Sequence, residues 1–266
     1  MPGNDGGATA RSEQAAVSAT QLSKSYGSHL VLDRLSFEIP AGRIFGFLGP
    51  NGAGKTTTLG CLTGLLEPSS GEVRLLGSLF DRNSVSLKRR IGVMPQELAL
   101  FDQLYAHEFL LFNAEVFGMS RTLAKERIDE LLLALDLGEG SFRKPLCDFS
   151  TGMRKKVAFA AAVLHVPDIL FLDEPFEGID PQGVANMKGW LRAYVSRGKT
   201  VFLTSHILET VERLCDEAAI IHGGALAWRG ALSPSAGLEV EGRCFSSLEE
   251  LFLKITDGRT QPLSWL

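Results

Sequence analysis

The 266-residue sequence predicts an α/β fold, with a core built on a mainly parallel sheet, an N-terminal antiparallel β subdomain and an inserted α-helical subdomain. Three observations lead there. Arg43-Ile44-Phe45-Gly46-Phe47-Leu48 and Ile169-Leu170-Phe171-Leu172 are apolar runs of strand length, as expected of parallel strands covered on both faces. From residue 169 onward, strand and helix patterns alternate. Between them, residues 97–149 carry hardly a strand signal and two helical ones.

In chain order, residues 19–23 and 30–39 read as two strands joined by the turn Ser25-Tyr26-Gly27-Ser28-His29, and Pro40-Ala41-Gly42 breaks the pattern before the strand ending at Leu48. A helix follows over 55–65, then the turn Pro68-Ser69-Ser70-Gly71 and a strand over 72–76. The strand 91–94 stops at Pro95-Gln96. Helices over 106–117 and 123–137 come next, the second with Leu131, Leu132 and Leu135 on one face. The strand 169–172, helix 183–195, strand 200–204 and helix 208–214 continue the core, and strands 217–221 and 225–229 flank His222-Gly223-Gly224. A loop rich in Ser and Gly leads to an amphipathic helix over 247–255, whose Leu248, Leu251, Phe252 and Ile255 fall at i, i+3, i+4 and i+7. That stripe is expected to pack on the chain's own core.

Composition bounds the function. Hydrophobic residues at 45% and charged residues at 22% are ordinary globular values, and the net charge of −4 leaves no electrostatic footprint for nucleic acid. No apolar run is long enough to cross a bilayer; even 157–166 is too short and contains His165. Residues 1–17, rich in Gly, Ala and Ser, lack the features of a signal peptide and are expected to be a mobile tail on a cytoplasmic chain. Cys61, Cys147, Cys215 and Cys244 form no C-x-x-C pair and are expected to be reduced. Lys88-Arg89-Arg90 and Arg154-Lys155-Lys156 are expected to be solvated faces or part of a dimer surface.

Chemistry enters at Gly49-Pro50-Asn51-Gly52-Ala53-Gly54-Lys55-Thr56-Thr57, which satisfies G-x-x-x-x-G-K-[ST] between a strand and a helix. The glycines let successive N–H groups turn inward on phosphate oxygens, and the N-terminus of the helix adds partial positive charge. Lys55 is placed to reach the β- and γ-phosphates of a nucleotide, and the Thr56 hydroxyl to ligate magnesium. Asp173 and Glu174 then end a buried strand with two carboxylates on different sides. Taken alone this is a common acidic turn. In a chain with a phosphate loop, Asp173 suits magnesium, held through water, and Glu174 suits an attacking water.

With these residues in place, the chain resembles the nucleotide-binding subunit of ATP-binding cassette (ABC) transporters, from about residue 17 to about residue 255. Phe149-Ser150-Thr151-Gly152-Met153 is similar to the family signature L-S-G-G-Q at the serine and the second glycine. The resemblance implies a P-loop NTPase core, residues 18–235 as the nucleotide-binding domain with its helical subdomain at about 97–165, and 236–266 as a C-terminal extension. It implies ATP and Mg2+ as cofactors and Mg-dependent ATP hydrolysis coupled to transport.

It also implies residue roles. Tyr26 resembles the aromatic that stacks on adenine, Gln96 the glutamine that meets magnesium and the attacking water, and His206 the switch histidine at the γ-phosphate. Ser150 and Gly152 resemble the segment that faces the ATP held by a second subunit, and Gly178-Ile179-Asp180 the loop that crosses to it. As isolated residues, Tyr26, Gln96, His206 and the helix cap Ser150 have ordinary structural readings. Thr151, Met153 and Glu177 depart from the commonest pattern, and Gly-Met followed by basic residues is similar to the ABC-2 type exporter branch. The implied partners are a second copy and an integral membrane permease, with the chain peripheral on the cytoplasmic membrane face. A soluble cassette ATPase of translation or DNA maintenance, or a non-hydrolytic regulatory module, is the alternative.

Overall fold

The structure, a computed structural model, describes residues 15–137, 144–232, 238–240 and 243–256. The chain begins with strands β1 (Ala15–Tyr26), β2 (His29–Pro40) and β3 (Ile44–Leu48), followed by α1 (Lys55–Leu62), β4 (Ser70–Leu75), β5 (Ser78–Leu79), α2 (Val85–Lys88) and β6 (Ile91–Met94). The helices α3 (Ala106–Val116) and α4 (Arg121–Ala134) follow, then α5 (Thr151–Val163). The core resumes with β7 (Ile169–Asp173), α6 (Pro181–Ser196), β8 (Thr200–Ser205), α7 (Leu208–Leu214), β9 (Glu217–His222) and β10 (Ala225–Ala231). The described chain ends with β11 (Leu238–Val240), β12 (Arg243–Phe245) and α8 (Leu248–Ile255).

The main sheet has the order β10-β9-β3-β8-β7-β6 and is parallel except for β10 at its edge. A second sheet, β2-β1-β4-β5, is antiparallel throughout. The fold class is therefore the one the sequence predicts. Alternation within the parallel strands splits the core in two: in β3, Ile44 and Leu48 belong to the cluster under α3, α5 and α6, whereas Phe45 and Phe47 belong to the cluster between the two sheets. There Phe202 lies with its ring centroid 6.0 Å from that of Phe45, 5.5 Å from that of Phe47 and 5.8 Å from that of Phe171. Each such buried ring contributes about 1.5–3 kcal/mol relative to exposure, so this wall fixes the two sheets against each other.

Several elements differ from expectation: β5 and α2 are short elements where none is expected, and two further differences bear on the chain's ends. The strand β1 begins at Ala15, inside the stretch expected to be tail; Ala16 and Val17 are buried, with Val17 between Ile39 of β2 and Leu75 of β4. Small residues give little strand signal of their own, so partners rather than composition set the start. Residues 1–14 lie outside the described residues. The Ser- and Gly-rich stretch before α8 includes the hairpin β11–β12, whose three-residue strands are too short for alternation to show in sequence. The helix α8 packs on the core as expected, burying Leu248 and Leu251, while the Leu248 N–H donates to Glu212 Oε1 of α7 at 3.1 Å. Cys61 and Cys215 are buried, Cys147 and Cys244 exposed, and all four are free.

At the foot of the sheet, Asp168 accepts from Arg90 at 2.6 Å and from Lys199 at 2.7 Å, joining the starts of β6, β7 and β8. Burial works against its charge, but Lys199 and Arg90 outweigh it and hold the carboxyl below the usual carboxylate range. A carboxylate whose folded pKa is depressed adds stability above its unfolded pKa of about 4 and loses it as pH falls through the folded value. Asp168→Asn is expected to lower the urea midpoint at pH 7, with the gap from the parent closing as pH drops below about 4. Paired denaturation curves across that range check this; a gap that persists undiminished in acid would contradict it.

Candidate nucleotide site

Parallel register places the predicted residues in one row. Leu48 pairs with Ser205, Thr204 with Asp173, and Leu172 with Met94, so the chain leaves four neighbouring strands at the same sheet edge. From those ends emerge the loop 49–54, His206, Glu174 and Gln96. They converge because the strands are parallel.

The loop 49–54 closes on Gly54, whose φ of +108° is left-handed and which N-caps α1. A side chain there meets a second obstacle, since a Cβ would lie 2.6 Å from Leu32 Cδ2. The first turn of α1 carries no acidic residue and Gly54 makes no side-chain cap, which leaves its N–H groups for an anion. The Lys55 ammonium turns back over the loop and donates to the carbonyls of Gly49 at 2.8 Å and Pro50 at 3.3 Å. Burial pulls its pKa below the ordinary lysine range, and the negative charges of Glu174 and Asp173 pull it partly back.

Gly49, Pro50, Asn51, Gly52, Gly54, Lys55, Thr56, Thr57, Gln96, Glu174 and His206 all line a single cavity of about 610 Å³. Ala53 is buried beneath the loop, its N–H donating to the Pro50 carbonyl at 3.1 Å. Thr56 Oγ1 and Gln96 Oε1 lie 3.5 Å apart. Asp173 is buried just behind: Oδ1 accepts from the Thr204 hydroxyl, while Oδ2 is buried and has no hydrogen-bond partner among the described residues. An orphaned carboxylate oxygen behind a hydroxyl and an amide carbonyl is an all-oxygen donor set, which suits a hard divalent cation that keeps several of its waters.

Glu174 is the most constrained residue of the site. Its φ is +47°, a left-handed conformation that costs a non-glycine residue about 1–3 kcal/mol and persists only where surroundings enforce it. The enforcement comes from three sides. The Glu174 N–H donates to Thr204 Oγ1 at 3.1 Å, its carbonyl accepts from Lys155 at 3.0 Å, and Oε2 lies 2.9 Å from His206 Nδ1 while accepting from the His206 N–H at 3.3 Å.

Ser150, Gly152 and Tyr26 do not line the cavity. Ser150 N-caps α5, accepting from the Met153 N–H at 3.3 Å. Gly152 lies against the turn after β7, where a Cβ would come 2.5 Å from the Gly178 carbonyl oxygen. Tyr26 ends β1, half-exposed, with the Lys24 ammonium 5.2 Å from its ring centroid. Conversely, Val31, Glu177 and Phe252 line the cavity and were not among the predicted site residues. Glu177 is visible in sequence as a departure in the loop before Asp180, whereas Phe252 belongs to an amphipathic stripe whose sequence signal is that of core.

The basic run after the signature segment is not a solvated face. Lys155 and Lys156 are buried; Lys155 pairs with Glu177 at 3.1 Å, and Lys156 with Asp180, the N-cap of α6, at 2.8 Å. Bonds from Lys156 and the Gly183 N–H hold the Asp180 carboxyl below its usual range. The approach of α5 to the turn after β7 buries these cations.

Comparison with known proteins agrees with this geometry. The family described as ABC transporter matches residues 32–177. The bacitracin transport ATP-binding protein BcrA of Bacillus licheniformis is 40% identical over 79% of this chain and 68% of its own length. The Nod factor export ATP-binding protein I of Paraburkholderia xenovorans is 38% identical over 87% of this chain and 75% of its own. A solved ATP-binding subunit of an ABC transporter superposes with a TM-score of 0.81 at 29% identity, covering 90% of this chain and 99% of that one. Its phosphate loop, its strand-end carboxylates and its relatives agree: the chain belongs to the ABC transporter family, as a nucleotide-binding domain of the kind that binds and hydrolyses ATP.

Proposed function

We propose that the chain is the ATPase subunit of an exporter of the ABC-2 type, acting on a permease made by separate chains and lying against the cytoplasmic face of the membrane. The observation that carries the ATPase assignment is the placing of the Glu174 carboxylate, held by His206, in the same cavity as the phosphate loop and Lys55. Export is supported by what the relatives are named for, bacitracin transport and Nod factor export. Among the described residues no helix is long and apolar enough to cross a membrane.

In this reading the N–H groups of loop 49–54 and Lys55 bind the β- and γ-phosphates of ATP. Thr56, Gln96 and Asp173 are the residues that would hold Mg2+. When bound, the ion supplies charge neutralisation between the phosphates. Glu174 accepts the proton of the attacking water, and His206 orients the Glu174 carboxylate and contacts the γ-phosphate. Tyr26 offers its half-exposed ring to adenine. Ser150 and Gly152, which lie outside the chain's own cavity, present the N-terminus of α5 to ATP held by a second copy, so that two chains close on two nucleotides. The surface after Gln96 bears Phe101, Phe112 and Val116 at 52%, 47% and 60% exposure, an apolar face suited to the permease. Closure moves the permease only by binding one of its conformations better than the other.

Lys55→Ala is expected to weaken ATP binding at least about tenfold, a loss of roughly 1.4 kcal/mol, in a titration with a fluorescent ATP analogue. Glu174→Gln is expected to keep binding while kcat falls at least about a hundredfold; brisk hydrolysis by that variant would overturn the role given to Glu174. Copurification of tagged Glu174→Gln chain from membranes with ATP, followed by mass spectrometry, tests the coupling. A multi-spanning protein is the expected companion. Ribosomal or DNA-bound proteins in its place would move this cassette to a soluble role.

A further inference from the structure

Lys155, in the basic run after the signature segment, and Glu177, in the loop before Asp180, meet in space. We propose that Lys155 is a positioning residue for the reaction, which sets the backbone of Glu174 from the signature helix and cancels the charge of Glu177 in the nucleotide cavity. The inference rests on Glu174 being the group that polarises the attacking water.

The argument starts from geometry. Glu174 keeps its left-handed backbone because its N–H and its carbonyl are both held. The N–H partner, Thr204, is on the neighbouring strand β8 and moves with the sheet. The carbonyl partner, Lys155, is on the second turn of α5, the helix that starts at Ser150. A lysine ammonium buried to 5% side-chain exposure demands compensation, and it has two acceptors, the Glu174 carbonyl and Glu177 Oε2. Glu177 also lines the cavity that takes the phosphates. An unopposed carboxylate there repels a polyanion, and Lys155 removes that repulsion while its remaining protons fix the Glu174 carbonyl.

Two consequences separate. Losing the cation should weaken nucleotide binding through Glu177, and losing the bond to the Glu174 carbonyl should slow hydrolysis. Movement of α5 also acts on Glu174 through this bond, so the signature helix and the attacking-water group are linked within one chain.

The test uses the full chain with Lys155→Met, Glu177→Ser and both together, each measured for affinity with a fluorescent ATP analogue and for kcat per folded molecule. Lys155→Met is expected to lose affinity severalfold and kcat at least tenfold. The double variant removes both members of the pair, so it leaves neither a buried cation nor a lone carboxylate facing the phosphates. It is expected to regain the parent's affinity while kcat stays at least tenfold down. Lys155→Arg, which restores a donor and a charge, is expected to recover part of kcat. A merely structural lysine would lower the melting temperature and leave kcat per folded molecule at the parent value.

Parent-like kcat in the double variant overturns the proposal, as does a double variant that loses affinity and kcat together. Glu174→Gln, measured alongside, separates the two readings. If it hydrolyses ATP at the parent rate, the role of Glu174 fails and this proposal with it. If it is inactive and the double variant is parent-like, only the positioning by Lys155 fails.

Discussion

The parallel pairing of β3, β8, β7 and β6 is the constraint from which the site follows. Because neighbouring parallel strands run in step, the residues that follow Leu48, Ser205, Asp173 and Met94 leave the sheet along one edge. Segments far apart in sequence thereby share a single cavity. An antiparallel sheet would send alternate ends to opposite sides and scatter them. The pairing needs both faces covered, which the two hydrophobic clusters supply, one beneath the antiparallel sheet and one beneath the helices.

Within that frame one turn combines a left-handed residue with buried charge. Glu174 has a left-handed backbone, Asp173 has an unpartnered buried oxygen, and Lys155 and Lys156 reach from α5 into the segment 174–180. In both ion pairs the lysine is buried and the carboxylate half exposed, and such pairs add little net stability over apolar packing. Their use here is in placement: they tie the start of the signature helix to the strand end that carries the carboxylates. Gly152, closed in by the Gly178 carbonyl, lets the two segments approach closely enough for those bonds to form.

Elements with strong local signals were legible in sequence. The apolar runs of β3 and β7, the helical faces of α4 and α8 and the phosphate-loop spacing are patterns within a few residues, and the physics that makes them is equally local. The start of β1 was not legible, because Ala16 and Val17 are strand only by virtue of β2 and β4 on either side. The hairpin β11–β12 was too short to show. The lysines after Ser150 read as a solvated face or part of a dimer surface because charge in sequence does not reveal a distant carboxylate.

The sequence by itself determined the fold class and the phosphate-loop segment, and it pointed to the strand-end carboxylates, since each is encoded by contiguous residues whose spacing is their geometry. Tertiary structure decided which of those segments meet. It put His206 against Glu174 and Gln96 beside Thr56, left Ser150 outside the chain's own cavity, and turned Lys155 and Glu177 into a pair. Such contacts depend on the relative placement of elements separated by dozens of residues, which strand register and helix packing fix and which no local pattern records.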